Sequence, residues 1–465
     1  MLKQAALSLS VLALATAAPA ALAKVSADEA AKLGNELTET GGIAKGNADG
    51  TIPEYTGVTN FTDKQKNYTF KELDKLRSDP DALDKAVGER NTPAQFTITA
   101  QNYKQYAEKL TASQIAMFEK YPATYKMNVY ESVRTSFHHP KIVEATKKNA
   151  TTAELKGGDA DLPVGMKLGF PFPIPTSGAE PIWNHKMKYR GEGVIRFNNQ
   201  AIISADGAFK ITKIQEDVMF GYASFENKLK DPNLIAYYLQ ETKAPPRLAG
   251  GLTLVHETAN AEGGGRKAWL YNPGQGRVNR APKVGYDNPS LSTDGEQFND
   301  QVDVFNGAMD RYDWKLDGLV EKYVSYNSYQ MNSPRFKYSD LIRKGHVNPD
   351  IPRYELHRVW KVTATLKPGM THQIAKRVFY VDEDGHTITS VDGYDNQGGL
   401  WKFQEAHIVV LPFVPTTTGA PEAIHDLKTG RYFMTALSNE EKLSDFEARF
   451  KEKDFKTSAL RRRIK

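Results

Sequence analysis

Apolar and polar residues alternate most regularly in the second half of the chain. Over Leu356–Leu366 every second side chain is apolar except Arg358, which is typical of a strand with one buried face. Further strand-like runs, among them Val194–Phe197 and Arg377–Val381, lie close to turn residues such as Asp384-Gly385. Strands joined by tight turns pair antiparallel. The pattern therefore predicts a β-rich α+β fold, a large curved antiparallel sheet or half-open β-barrel with helices packed on or plugging its concave face.

Several runs can be matched into neighbouring strands. The expected pairs are Val194–Phe197 with Ala201–Ser204 around a turn at Asn198-Asn199, Leu252–Glu257 with Lys267–Tyr271, and Arg377–Val381 with Thr387–Val391. Residues 401–413 supply enough apolar sequence for two further strands.

Helical spacing is confined to a few stretches. The predicted helices are 26–37, 70–78, 101–109, 111–120, 299–311 and one that begins at Ser438. Capping-box patterns, Thr111 with Gln114 and Ser438 with Glu441, mark two of the beginnings. We expect residues 24–165 to be a mixed helical and extended segment that wraps the sheet, and 166–465 to form the ligand-binding sheet domain.

The first residues have the pattern of an export signal. Lys3 precedes the apolar stretch Ala5–Ala18, and Ala21-Leu22-Ala23 places small residues at the positions that signal peptidase reads. We therefore expect residues 1–23 to be a signal peptide that is cleaved after Ala23, and the mature chain to be periplasmic. The apolar stretch is shorter than the roughly 20 residues of a membrane-spanning helix, so no transmembrane anchor is expected.

Composition narrows the chemistry. The chain has no cysteine, which excludes disulfides, thiolate nucleophiles and a lipid-modified N-terminal cysteine. Its 61 basic residues are interspersed with 56 acidic ones, and this balance argues against a nucleic-acid partner.

The common catalytic motifs are absent, and we predict no catalytic residue, metal or cofactor. His138-His139 could be a metal or acid/base pair, but adjacent side chains of a strand point in opposite directions. Asp382-Glu383-Asp384-Gly385 could be a calcium loop, but it lacks the ligand spacing of an EF-hand, and a hairpin turn is the preferred interpretation.

Several blocks of sequence, taken together, resemble a known family. They are Gly46–Gly57, Tyr121–Tyr125, Phe170-Pro-Phe-Pro-Ile-Pro175, Glu180-Pro-Ile-Trp-Asn-His185, Ala268–Gly274 with Arg277–Pro282, Tyr326–Tyr329, His357-Arg-Val-Trp360 and Arg377–Asp384. In this order they resemble the proteobacterial periplasmic family called domain of unknown function 1329, over nearly the whole mature chain. The resemblance implies a fold like that of the periplasmic lipoprotein carriers, whose half-open barrel holds acyl chains. It also implies a resistance-nodulation-division-type exporter or an outer-membrane protein as partner.

The first functional hypothesis is a periplasmic carrier of hydrophobic molecules between the inner and outer membranes, such as lipids, lipoprotein acyl chains, sterols or hydrocarbons. Its candidate ligand-binding residues are chosen from apolar strand positions and from the predicted helix 299–311. They are Trp269, Tyr271, Phe305, Met309, Trp360, Val362, Leu366 and Trp401. The alternatives are an envelope sensor or adaptor that binds a protein partner, and a hydrolase with a buried histidine–carboxylate pair in a cleft.

Overall fold

The computed structural model describes residues 25–221, 224–225, 231, 233–259, 265–281 and 285–463. The predicted signal peptide, residues 1–23, lies outside the described residues. Nine α-helices occur within these ranges: α1 Ala27–Ala30, α2 Asp63–Lys66, α3 Phe70–Leu76, α4 Pro80–Val87, α5 Ala112–Lys120, α6 Pro140–Thr152, α7 Ala179–Met187, α8 Tyr338–Leu341 and α9 Thr457–Arg463. No helix in the described ranges is long and apolar enough to cross a membrane.

The strands form one sheet of sixteen members in the described part of the chain. They are β1 Phe96–Thr99, β2 Lys126–Val129, β3 Gly193–Phe197, β4 Asn199–Ile203, β5 Phe209–Phe220, β6 Leu234–Ala244, β7 Leu252–Thr258, β8 Lys267–Asn272, β9 Arg277–Arg280, β10 Tyr312–Ser325, β11 Tyr354–Leu366, β12 Lys376–Asp382, β13 Ile388–Tyr394, β14 Leu400–Leu411, β15 Thr416–Asp426 and β16 Tyr432–Leu437.

The sheet is open and almost wholly antiparallel. Its order is β1-β2-β11-β12-β13-β14-β15-β16-β4-β5-β6-β7-β8-β9, with β10 also on β11 and β3 also on β5. The exception is β2, which meets β11 in parallel through Val129 and Tyr354. The late strand β16 pairs with the early strand β4, and this pairing joins the two runs of neighbouring strands. The predicted fold class is confirmed.

The central strands are buried on both faces. Nine consecutive residues of β14, from Lys402 to Val410, are buried, whereas a strand with one wet face would alternate. Phe403 packs in a cluster with α5, β1 and β2. Ala406 faces the opposite way and belongs to the cluster that contains α7. The N-terminal segment therefore covers one face, but its strands are part of the same sheet, and a boundary at 165/166 stays a prediction.

Helix α7 fills the other side of these strands. All nine of its residues are buried, and Trp183 packs in one cluster with Phe379 of β12 and Ile408 of β14. Its buried Lys186 is satisfied by a hydrogen bond of 2.6 Å to the carbonyl oxygen of Gly307. A helix does plug the sheet, but it is one that the hydrophobic spacing did not indicate.

The predicted helix 299–311 is wrong. Two short 3-10 turns, Asn299–Gln301 and Met309–Arg311, take its place. Between them Asp303 and Val304 adopt positive φ angles, which L-residues rarely do in a continuing helix. Asp303 is held there by an ion pair with Arg190. Tertiary contacts thus override the helical spacing.

The predicted turn at Asn198-Asn199 is also wrong. Both β3 and β4 pair antiparallel with β5, one after the other along its length, so the two segments continue in one direction rather than forming a hairpin. The Asn199 side-chain oxygen accepts a hydrogen bond of 2.8 Å from the backbone N–H of Ile214, and the Asn198 side-chain oxygen accepts one of 2.6 Å from Ala436. These hydrogen bonds stabilise the irregular junction between β3 and β4. The other two predicted strand pairs, β7 with β8 and β12 with β13, are confirmed, whereas residues 401–413 form the single strand β14 and the turn that follows it.

Candidate functional site

A cavity of about 340 Å³ lies between the N-terminal helices and one end of the central strands β14 and β15. It is bounded by α3 and α4, by the turn between β14 and β15, by the junction of β3 and β4, and by residues 443–449. Most of the side chains that give it shape are aliphatic or aromatic, including Phe70, Leu73, Leu411, Phe413, Leu443 and Phe446. Cavities of about 300–1,000 Å³ with such linings are typical of small-molecule sites.

Helices α3 and α4 form one wall because local sequence signals fix both. Thr69 and Glu72 form a capping box at the beginning of α3, and α4 begins with Asp79 as N-cap and Pro80 in its first turn. Leu73 and Leu83 are buried between the two helices. They form a small cluster against which Phe413 and Leu443 pack.

The opposite wall is the irregular segment 438–450, which contains turns at 439–440 and 446–447 and for which the sequence predicts a helix. That prediction is wrong, because both capping residues have tertiary partners. The Ser438 hydroxyl donates a hydrogen bond of 2.5 Å to the Asn332 side chain. The Glu441 carboxylate accepts one of 2.9 Å from Asn199 and pairs with Lys213 at 2.7 Å. Leu443 and Phe446, released from helical spacing, line the cavity.

The carboxylates of the lining all have partners. Glu192 accepts a hydrogen bond of 2.7 Å from the backbone N–H of Phe225, and Glu447 accepts one of 3.0 Å from that of Phe70. Asp84 pairs with Arg335 at 3.1 Å. The acidic side of the lining is therefore already satisfied by the protein.

No histidine–carboxylate pair lines the cavity among the residues that the structure describes. Three such pairs lie elsewhere: His357 with Glu355 and His372 with Asp300, both 3.1 Å apart and buried, and His185 of α7 with Asp303 at 3.5 Å. The cavity's histidine is His139, whose Nδ1 accepts a hydrogen bond of 3.1 Å from the backbone N–H of Lys141 at the beginning of α6. Burial and the Lys141 charge lower the pKa of His139. This contact gives His139 a structural role as an N-cap.

The acidic sequence 382–385 forms a hairpin turn between β12 and β13 that is wholly buried. Arg134 donates to both oxygens of Asp384, at 2.8 and 2.7 Å, and Arg358 donates to Glu383 at 2.7 Å. Two guanidinium groups thus occupy the carboxylates that a calcium ion would need. Elsewhere in the described ranges no three histidine or acidic side chains are grouped to hold a metal.

None of the eight predicted ligand-binding residues belongs to the cavity lining. Phe305, Met309 and Val362 are buried in the cluster around α7, and Trp360 and Leu366 pack at its border. Their apolar surface therefore contacts protein. Phe305 and Met309, which the sequence analysis takes from the predicted helix 299–311, are part of the core.

The remaining three predicted residues lie in two other places. Trp269 and Tyr271 are half-buried at the β8 end of the sheet, in a cluster with Phe455. Trp401 is half-buried below Lys402 and its indole donates a hydrogen bond of 3.0 Å to Asp426. A ligand-binding role for the eight residues stays a prediction. The cavity was missed because its lining comes from loops and short helices, where neither a period of two nor one of 3.6 marks an inward side chain.

These features define a class of protein. It has an open, largely antiparallel sheet, a buried helix on one face of that sheet, and a small apolar cavity beside the turn between β14 and β15. The family model described as "Protein of unknown function (DUF1329)" matches residues 97–461. The Pseudomonas aeruginosa protein named "Uncharacterized protein PA3922" is 44% identical over 453 residues, which are 97% of this chain and 96% of that protein. The chain belongs to the DUF1329 family, as the sequence blocks predicted.

Solved structures also resemble parts of the chain. A DUF1329 family protein from Desulfovibrio piger is 16% identical, with a TM-score of 0.40, over 58% of this chain and 92% of that one. A putative outer membrane lipoprotein-sorting protein domain from Vibrio parahaemolyticus is 15% identical, with a TM-score of 0.42, over 61% and 97%. The LolA superfamily protein NE2245 from Nitrosomonas europaea is 11% identical, with a TM-score of 0.38, over 61% and 100%. Similarity at these levels carries no argument about what this chain binds.

Proposed function

We propose that this protein binds a hydrophobic molecule in the cavity beside α3 and α4, and carries it through the periplasm between the inner and outer membranes. The observation that supports the proposal is the cavity itself, about 340 Å³ with a mainly aliphatic and aromatic lining. Burial of each methylene group contributes about 0.8 kcal/mol, so contact with the apolar lining alone can bind an alkyl chain.

A binding role also agrees with the chemistry of the lining. Its carboxylates and its histidine accept hydrogen bonds from backbone N–H groups or pair with an arginine, and no histidine–carboxylate pair occurs among the described residues of the lining. We therefore propose a carrier rather than a hydrolase.

The periplasmic location and the partner are part of the same proposal. The signal-like residues 1–23 support export, and a mature protein whose N-terminus is Lys24, found by mass spectrometry of a periplasmic fraction, is the expected result. A full-length protein retained in the cytoplasm would contradict it. An exporter or outer-membrane protein as partner is to be tested by crosslinking in intact cells.

Ligand binding is tested by blocking the cavity. Ser444 lines it, and within the described part of the chain its hydroxyl makes no hydrogen bond that a larger side chain would break, so Ser444→Trp places an indole in the space that a ligand would fill. We expect the purified wild-type protein to bind a fluorescent fatty-acid probe, and Ser444→Trp to bind it at least about tenfold more weakly.

Lys442→Trp is the matched control, because Lys442 is an exposed neighbour on the same segment outside the lining. It should bind the probe as the wild type does. The proposal fails if the wild-type protein binds no apolar probe, or if both tryptophan variants bind equally well. If the wild type binds the probe and Ser444→Trp does not, solvent extraction and mass spectrometry of protein purified without detergent would identify the natural ligand.

A further inference from the structure

The cavity lining contains three carboxylates and three arginines, and they differ in how many of their polar atoms have partners. Each of its carboxylates is engaged, as described above, and Arg196 pairs with Glu216 at 2.7 Å. Two other arginines of the lining, Arg77 and Arg449, form no ion pair with any carboxylate in the described ranges. Glu192 and Glu447 also lack an ion pair in the described ranges, but each already accepts a hydrogen bond from a backbone N–H, whereas Arg77 and Arg449 bring open N–H donors to an apolar space.

Arg77 is the more buried of the two. It follows the last residue of α3, and its Nη2 donates a hydrogen bond of 2.8 Å to the carbonyl oxygen of Asn439. A guanidinium group has five N–H donors, so most of its donors remain open. Burial lowers the pKa of the half-buried Arg77, and the carboxylates of Asp74 and Glu441 offset that effect only in part.

Arg449 stands at the exposed border of the same cavity. Its Nη1 donates to the carbonyl oxygens of Phe446 and Ala448, both at 3.1 Å. Because its side chain is exposed, water screens its charge more strongly than that of Arg77. Its attraction for an anion is correspondingly weaker.

We propose that the ligand of this cavity is an amphiphile, an alkyl chain with an anionic oxygen head, and that the Arg77 guanidinium binds the head while the apolar lining holds the chain. The inference rests on the proposed function and names the class of ligand. A planar guanidinium with open donors matches a carboxylate or a phosphate through paired hydrogen bonds. The Leu73 and Leu443 side chains of the same lining match the chain.

The test compares two probes that share one alkyl chain, dodecanoate and dodecanol, by isothermal titration calorimetry at a pH where the acid is ionised. The wild-type protein should bind dodecanoate about tenfold or more tightly than dodecanol, the range of a charge-assisted hydrogen bond. Arg77→Gln should remove most of this preference, because it weakens dodecanoate binding far more than dodecanol binding, and the glutamine amide can still donate to Asn439. Arg449→Gln should reduce the preference by a smaller factor.

Lys71→Gln is the control for loss of charge, because Lys71 is exposed on the same helix and outside the lining. Its preference for dodecanoate should equal that of the wild type. Dodecanol binding reports that each variant is folded and that its cavity is intact. Equal binding of the two probes by the wild type, or an unchanged preference in Arg77→Gln, overturns this inference alone. A wild-type protein that binds neither probe overturns the proposed function as well.

Discussion

Glu405 lies in the middle of β14 and is buried between the sheet and the N-terminal segment. Its Oε2 accepts a hydrogen bond of 3.0 Å from the Tyr354 hydroxyl, and its Oε1 has no hydrogen-bond partner in the described part of the chain. No ion pair compensates for ionisation at this position. Replacing Glu405 with glutamine should therefore stabilise the protein above neutral pH, where the wild-type carboxylate must ionise.

The magnitude follows from the pKa. Burial raises the pKa of Glu405 from its ordinary value of 4.5 to about 7. The protonated side chain favours the folded state below the unfolded pKa, and this contribution is lost as the pH rises through the folded pKa. At about 1.36 kcal/mol for each pKa unit, the loss between these two values is roughly 3 kcal/mol. Glutamine does not titrate, so Glu405→Gln lacks this loss.

The assay is urea unfolding of the wild type and of Glu405→Gln at a series of pH values from about 4 to about 8. The difference in the free energy of unfolding should grow in favour of the variant between about pH 4.5 and pH 7. Glu144→Gln, at an exposed position of α6, should run parallel to the wild type. If the wild type and Glu405→Gln also run parallel, Glu405 ionises without penalty and the reasoning is refuted.

Three further substitutions test the packing of the fold. Arg134→Met should destabilise by about 3–5 kcal/mol in chemical unfolding, because it leaves the buried Asp384 carboxylate without its partner, and Asp384→Asn in the same chain should restore part of the loss. Trp183→Ala should destabilise by about 3–5 kcal/mol, since it opens a cavity in the fully buried α7; a thermal midpoint equal to that of the wild type would contradict a plugging role. Gly41→Ala should lower the thermal midpoint, because Gly41 has a φ of 101° and an added Cβ would collide with the Pro173 carbonyl oxygen.

The alternation of apolar and polar residues predicted the strands of the sheet well, but it did not predict the helix that packs on the inner face of the sheet. The strands β11, β12 and β13 were predictable because their pattern and the turn at 382–385 are local features. Helix α7 was not, because all of its faces are buried and its polar residues lie inside the protein. A search for one apolar face passes over such a helix.

The candidate site was harder to predict for a related reason. Segment 438–450 has a capping box and helical spacing, but Asn332 and Lys213 take up the capping groups. Phe413 follows the end of β14 and Phe446 lies in that irregular segment. The direction of such side chains is set by long-range contacts. By contrast, the strand aromatic Trp360, which the sequence analysis took as a ligand-binding candidate, packs against the core.

The pairing of β16 with β4 has a consequence for how this chain acquires its structure. Strand β4 is made early and β16 late, yet the two are neighbours in the middle of the sheet. Until β16 is available, β4 and β15 each present an unpaired edge, and such edges invite aggregation. Contacts between parts so distant in sequence also slow folding. The two halves of the sheet are therefore joined only when β16 is in place, and loss of β16 alone would divide the described sheet in two.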